Sequence, residues 1–352
     1  MTAIHKLIPI DISILKELPK IANKYRLPNT KKAIIQLCTS VLPYIALWIS
    51  MYFMVQEWGW WRGIAVAVLN AFFLVRIFII QHDCWHQSFL SSHKANNLIG
   101  KICSFLTFIP YTYRSAGHSF HHNHANKLRE FRDIGDLYTM TTQEFMDASI
   151  WKKTWYIIFR SPIVMFGIIP IRYILFNNRL PLARLPEKKK LNTSLISNNL
   201  ITIVLYGGIG YFLGTHTLLS VQLPILVIFG TIAIWFFYIQ HQHEFGYKAR
   251  KDKREYIRSA VQGSTFYNLP KRMHWLTGNI GYHHIHHLNA AIPSYELANC
   301  YNKEPLLQEV AQKVGFWESL RFTWCHLWDE QQQKMISFWK YYKIYGKEKS
   351  KI

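Results

Sequence analysis

Histidine is the residue type whose placement in this chain points to chemistry. Of 17 histidines, twelve lie in four tight groups: His82 and His86; His118, His121, His122 and His124; His241 and His243; His283, His284, His286 and His287. His82 and His86 are four apart, and two groups repeat the pattern H-x-x-H-H, as His118, His121, His122 and as His283, His286, His287. Each set therefore shares one face of a helix, and stripes from separate helices can converge. Neutral imidazole binds borderline metals such as iron, zinc, copper and nickel. A single zinc takes about four ligands, so the eight patterned histidines plus His241 exceed what one ion needs, and two metals are implied. The lack of an H-E-x-x-H argues against a zincin protease, and the lack of any E-x-x-H excludes the soluble carboxylate di-iron bundle on its own motif. His5, His93, His216 and His326 stand alone and read as ordinary surface or core residues.

The elements that must position these rings are apolar. Half of the 352 residues are hydrophobic and only 17% are charged, which excludes a disordered or fibrous chain. From Leu191 to Gln240 no Asp, Glu, Lys or Arg occurs. That stretch holds two spans, 195–213 and 218–239, with Gly214 to Thr217 as their turn. Residues 33–54 make another uncharged span, and residues 63–80 a fourth, in which Arg76 is expected to snorkel to the interface. Leu98 to Tyr113 and Trp155 to Phe176 are broken by charges and prolines and suit interfacial or half-inserted helices. The expected fold is an all-α integral membrane protein of four transmembrane helices, with interfacial helices and a helical cap.

Four crossings leave two short loops on one side, which together hold one basic residue, Arg62. With Arg76 inside a span, the other 39 Lys and Arg lie on the opposite side, which the positive-inside rule makes cytoplasmic. Both termini and every histidine group then face the cytoplasm, and the cell membrane is the expected location. The net charge of +21 is explained by topology and anionic headgroups, so nucleic acid is not expected as a partner. The domain reading is an N-terminal segment 1–32 without a signal peptide, a domain over 33–339 whose cap comprises 81–194 and 240–339, and a basic, mobile tail 340–352. Five scattered cysteines give no disulfide framework and no thiolate zinc site. Trp58, Trp60, Trp61, Trp235, Phe236, Phe237 and Tyr238 read as an interfacial belt.

HDCWHQSF at His82 to Phe89, HSFHH at His118 to His122 and GNIGYHHIHHL at Gly278 to Leu288 resemble the three histidine boxes of the membrane fatty acid desaturases. The flanks LVRIFII, GDLYTMT at Gly135 to Thr141, FYIQHQHE at Phe237 to Glu244 and IPSYEL at Ile292 to Leu297 are similar to the bacterial acyl-lipid branch, most like the phospholipid desaturases of bacilli, including the Δ5 type. The likeness runs from about Ile34 to Trp339. It implies a non-haem di-iron centre, O2 as co-substrate, a phospholipid acyl substrate, and two electrons from an external donor of ferredoxin or flavodoxin type. It also implies His82, His86, His118, His121, His122, His241, His283, His286 and His287 as ligands. Where relatives read Q-H-x-F-E-D, this chain has His243 and Phe245, so His243, like His124 and His284, is extra to the ligand pattern.

Removing hydrogen from an unactivated methylene needs an oxidant stronger than any side chain, so the metal and O2 carry that step. Ligand imidazoles need their second ring nitrogen held; Asp83, Asp133, Asp136, Glu244 and Asn279 are the candidates near in sequence. No H-P-G-G haem motif occurs, so electrons come from outside the chain, and a basic face could dock an acidic carrier. A hydroxylase or ketolase would use the same ligands. A membrane metal transporter would need ionisable groups within the spans, and these contain none apart from Arg76.

Overall fold

The computed structural model describes residues 10–128, 137–182, 187–250 and 255–346. After α1 (Ile12–Asn23) comes α2 (Thr30–Trp58), started by Asn29, whose side chain accepts from Lys32 N at 3.0 Å. Gly59 ends it at φ +82°, and a short turn leads to α3 (Ile64–Trp85). Then follow α4 (His93–Thr107), α5 (Tyr111–His124), strand β1 (Met140–Thr141), α6 (Thr142–Asp147) and α7 (Ile150–Phe159). Two π-helical turns flank α8 (Ile169–Arg172). The hairpin α9 (Lys188–Leu213) and α10 (Thr215–His241) pivots on Gly214, whose φ of +87° suits a residue without Cβ.

Beyond α10 lie α11 (Tyr256–Gln262), β2 (Thr265–Tyr267), α12 (Lys271–Leu276), α13 (His283–Leu288), α14 (Ser294–Lys303) and α15 (Pro305–Glu309). The chain ends with β3 (Gln312–Val314), α16 (Phe316–Phe322), β4 (Leu327–Asp329), β5 (Lys334–Ile336) and α17 (Phe338–Tyr345). The fold is thus mainly helical rather than wholly so. β2 and β3 pair in parallel, and β4 joins β1 in parallel and β5 antiparallel, so that two small ladders clip distant segments together.

Among the described residues, α2, the Trp60–Trp85 segment, α9 and α10 are long and apolar enough to cross a membrane. Their outward faces expose Leu42 and Ile49 on α2 and Ile203 and Val204 on α9, which lipid can cover. α3 is the central pillar: 61% of its apolar window is buried, against 17–39% in the others. The helices also outrun the apolar windows read from the sequence. α3 continues past Ile80 to carry His82, and α10 ends on His241. α7 and the following π/α stretch form a pair bent by 60°, broken at Ser161–Pro162, where proline disfavours a helical residue before it.

Arg76 does not snorkel to the interface. It is 3% exposed, and its guanidinium donates to the Trp275 carbonyl, to Ser40 Oγ (3.1 Å) and to Thr39 Oγ1 (3.3 Å). It also lies 3.9 Å from the Trp275 ring centroid. The expected belt divides as well: Trp58, Trp60 and Trp61 are exposed at the α2–α3 turn, whereas Phe236 and Tyr238 are buried. The tail read as mobile from Lys340 onward begins as α17, with Tyr341 packed on Phe145 (ring centroids 5.1 Å); residues 347–352 lie outside the described residues.

Arg76→Met would leave the Trp275 carbonyl without its charged donor, a loss of roughly 1.5–3 kcal/mol per such bond. The thermal unfolding midpoint in detergent should fall, and Arg76→Lys should recover part of the loss; an unchanged midpoint would remove Arg76 from this role.

Candidate metal centre

Each histidine-bearing helix is pinned within a few residues of its rings. Gln81 donates to the Ile109 carbonyl (2.7 Å) and accepts from Thr107 Oγ1 (2.7 Å), which ties α3 to the α4–α5 turn. Tyr111 Oη, at the start of α5, donates to the Cys84 carbonyl (2.8 Å). Next to His241, Gln240 donates to the Ile280 carbonyl (2.9 Å), so the end of α10 holds the loop that enters α13. In that loop Gly278, at φ +57°, lies so close to α3 that a Cβ would meet Ile79 at 2.9 Å.

So held, the rings fall into two adjoining sets. His82, His86, His118, His122 and His286 each place a ring nitrogen within 4.8 Å of every other in the first set, and His121, His241 and His287 do so in the second. Within the first, Nε2 contacts run from His82 to His118 (2.8 Å), on to His122 (3.0 Å), and on to His286 (3.0 Å). His283 joins the second through Nε2 contacts of 3.0 Å to both His241 and His287. The His122 and His287 rings, 4.4 Å apart, lie at the junction.

The chemistry of this donor set fits cations. Burial first, and the neighbouring rings second, hold His86, His118, His122, His283, His286 and His287 well below the ordinary imidazole value, so they are neutral. A neutral ring nitrogen carries one N–H or one lone pair. The Nε2 atoms of His118, His122 and His283 each face two others, so ordinary hydrogen bonds cannot fill either chain of contacts. A cation accepts all the lone pairs at once. With metal–imidazole bonds of about 2.1 Å, two nitrogens on one ion lie no more than about 4.2 Å apart, a limit that the Nε2 separations of 2.8–3.0 Å here respect.

An apolar wall not anticipated from the sequence covers the first set. The Trp85 ring lies 5.8 Å from His82 and 5.4 Å from His118, and Phe78 packs on Trp85 (5.6 Å) and Phe229 (5.8 Å). The available signal was periodicity, since Phe78 stands one helical turn before His82. Phe237 does the same for the second set, 5.4 Å from His121 and 5.3 Å from His241.

The extra histidines stand apart from both sets. His124 stacks on Phe120 (3.9 Å). His243 Nε2 meets the Gln262 carbonyl at 3.2 Å, and its pKa is pushed down to about 3 by burial and Lys248. His284 packs against Tyr301 (5.9 Å) and Phe266 (6.0 Å). Of the carboxylates and amides named above, Asp83 is buried with Oδ1 3.8 Å from His82 Nδ1, while its Oδ2 accepts from Ser294 N (2.7 Å). Asn279 donates to the Ser294 carbonyl (3.1 Å), and Gln36 Nε2 to Ser294 Oγ (3.0 Å). Ser294, the first residue of α14 and part of the IPSYEL stretch, is thus where α2, the end of α3 and the α12–α13 loop meet. The Glu244 carbonyl accepts from Met335 N of β5 (2.7 Å). Asp133 and Asp136 lie outside the described residues.

Comparison with known proteins gives the family of the chain. Residues 58–318 match the family model for fatty acid desaturases. The chain is 36% identical over 323 residues to a fatty acid desaturase of Bacillus subtilis, covering 92% of this chain and 90% of that one. It is 22% identical over 334 residues to an sn-1 oleoyl-lipid 12-desaturase of Picosynechococcus, covering 85% and 86%, and 25% identical over 242 residues to an endoplasmic-reticulum omega-3 fatty acid desaturase of Vigna radiata, covering 63% and 59%. The chain belongs to the fatty acid desaturase family, a family of oxidoreductases of lipid metabolism.

Elemental analysis of the purified chain tests the two-set arrangement. Two metal equivalents are expected; His122→Ala, at the junction, should lose at least one, while His93→Ala, on α4 away from both sets, should lose none.

Proposed function

We propose that this chain is an acyl-lipid desaturase that introduces a cis double bond into acyl chains of membrane phospholipids. The observation that carries this reading is the pair of adjoining imidazole sets at the ends of membrane-length helices. His82, His86, His118, His122 and His286 would hold one iron ion, and His121, His241, His283 and His287 the other. Bound there, the ion pair supplies the oxidising power to draw hydrogen from a methylene, with O2 as oxidant. Overall, one –CH2–CH2– unit, O2, two electrons and two protons give one –CH=CH– unit and two waters.

The chain's own residues do the rest. Neutral Nε2 lone pairs keep the centre's charge with the metal, while Phe78, Trp85, Phe229 and Phe237 exclude water that would divert the oxidant. The hydrogen bonds of Gln81, Tyr111 and Gln240 fix the donor helices, so little reorganisation is needed during turnover. An acyl chain already dissolved in the bilayer meets the ends of α3 and α10 without leaving lipid. The charge distribution supports a cell-membrane location with both termini and the centre on the cytoplasmic side. An external carrier of ferredoxin or flavodoxin type would there bring the electrons; its acidic surface would suit the basic excess.

Expression in a host lacking unsaturated lipids, followed by mass spectrometry that locates double bonds, tests the proposal. New cis-monounsaturated chains on phospholipid are expected, and His82→Ala or His286→Ala should abolish them while leaving the protein inserted. Hydroxylated chains without alkenes would select a hydroxylase instead.

A further inference from the structure

Three short helices, distant in sequence, each turn a tryptophan-led stripe out of the protein. On α7, Trp151 and Trp155 are 82% and 53% exposed, on the same face as Ile158; α16 presents Trp317 (78%) with Leu320 and, just past its end, Trp324 (60%); α17 presents Trp339 (72%) with Tyr342. Spacings of three and four residues put each set on one helical face. Lys152, Lys153, Arg321, Lys340 and Lys343 lie on these helices, against the single acid Glu318, whose carboxylate accepts from Gly315 N (3.4 Å). Lys343 Nζ stands 5.2 Å from the Trp339 ring centroid. Aromatic rings beside basic side chains form the composition of segments that lie in an anionic headgroup layer.

Hydrogen bonds set the height of this surface. Tyr238, one turn before the end of α10, places its hydroxyl 3.0 Å from the Phe322 carbonyl and 3.1 Å from that of Cys325. Arg160, directly after α7, reaches Tyr238 Oη (3.2 Å) and the Cys325 carbonyl (2.6 Å). Tyr156 of α7 donates to the His326 carbonyl (2.6 Å), and the His326 ring stacks on Phe338, the first residue of α17 (4.2 Å). α7 and α16 are therefore fastened to the last turn of a membrane-length helix, and α17 is joined to the same corner through His326.

We propose that the stripes led by Trp151, Trp317 and Trp339 form a second, non-spanning membrane contact, seated in the anionic headgroup layer of the bilayer that α2, α3, α9 and α10 cross. This rests on the membrane placement given above. It holds the cap down on the leaflet that delivers the acyl chain, with charge complementarity committing the surface to lipid.

The test uses the full chain in nanodiscs of phosphatidylglycerol and phosphatidylcholine. Cys38, the exposed native thiol, is replaced (Cys38→Ser), and an environment-sensitive fluorophore is attached at Trp317→Cys, at Trp339→Cys, or at Val204→Cys on the outward face of α9. Labels at 317 and 339 should show blue-shifted emission and be quenched several-fold more by headgroup-nitroxide lipid than by aqueous iodide. The preference should weaken in phosphatidylcholine alone and in the triple variant Lys152→Glu, Arg321→Glu, Lys343→Glu. Iodide access at 317 and 339 with position 204 shielded would overturn the second contact and leave the spans intact; iodide access at all three would overturn both. Shielding that arises only on adding an acidic electron carrier would assign the surface to that partner and overturn the proposal.

Discussion

The constraint on which this structure depends is the convergence of neutral imidazole nitrogens. Nε2 atoms stand about 3 Å apart in two continuous chains, and too few protons are available to turn every contact into a hydrogen bond. Lone pairs facing one another in a buried site are costly unless something positive lies between them. A cation centre satisfies the arrangement, and the fold is organised to hold the rings where one can sit.

That organisation starts with α3. It is the most buried of the membrane-length helices, it carries His82 on the extension beyond its apolar window, and its neighbours Gln81, Cys84 and Asp83 fasten the α4–α5 turn, α5 and the start of α14. Arg76 draws α12 onto the same helix through the Trp275 carbonyl, which brings the loop before α13 within reach. α10 repeats the device from the other side, with Gln240 gripping Ile280 and His241 as its last residue. Both helices thus continue from an apolar window directly into polar, ligand-bearing turns.

Much of this was legible in the sequence because it is periodic. H-x-x-H-H and H-x-x-x-H fix which rings share a face whatever their neighbours, and apolar runs long enough to span announce themselves by composition. Long-range pairings were not legible. Arg76 looked like a snorkelling residue because the apolar window ends at Ile80, but the helix runs on to Trp85 and a residue 199 positions away, Trp275, supplies the acceptor. Asp83 and Asn279 read as groups to hold a ring nitrogen; Asp83 Oδ1 does lie 3.8 Å from His82 Nδ1, but that both residues also meet at Ser294 was not readable. Phe236 and Tyr238 carry the composition of a membrane belt, yet α16 and the loop after it cover that part of α10. A single sequence shows which residues share a helix face, not which helices meet.

The most direct test of the central claim is X-ray absorption at the iron edge on the purified, iron-loaded protein. Two iron sites are expected, each with scattering from several imidazole rings and from a second iron nearby. A single isolated iron, or a coordination shell of carboxylate and water oxygens without imidazole scattering, would contradict the account.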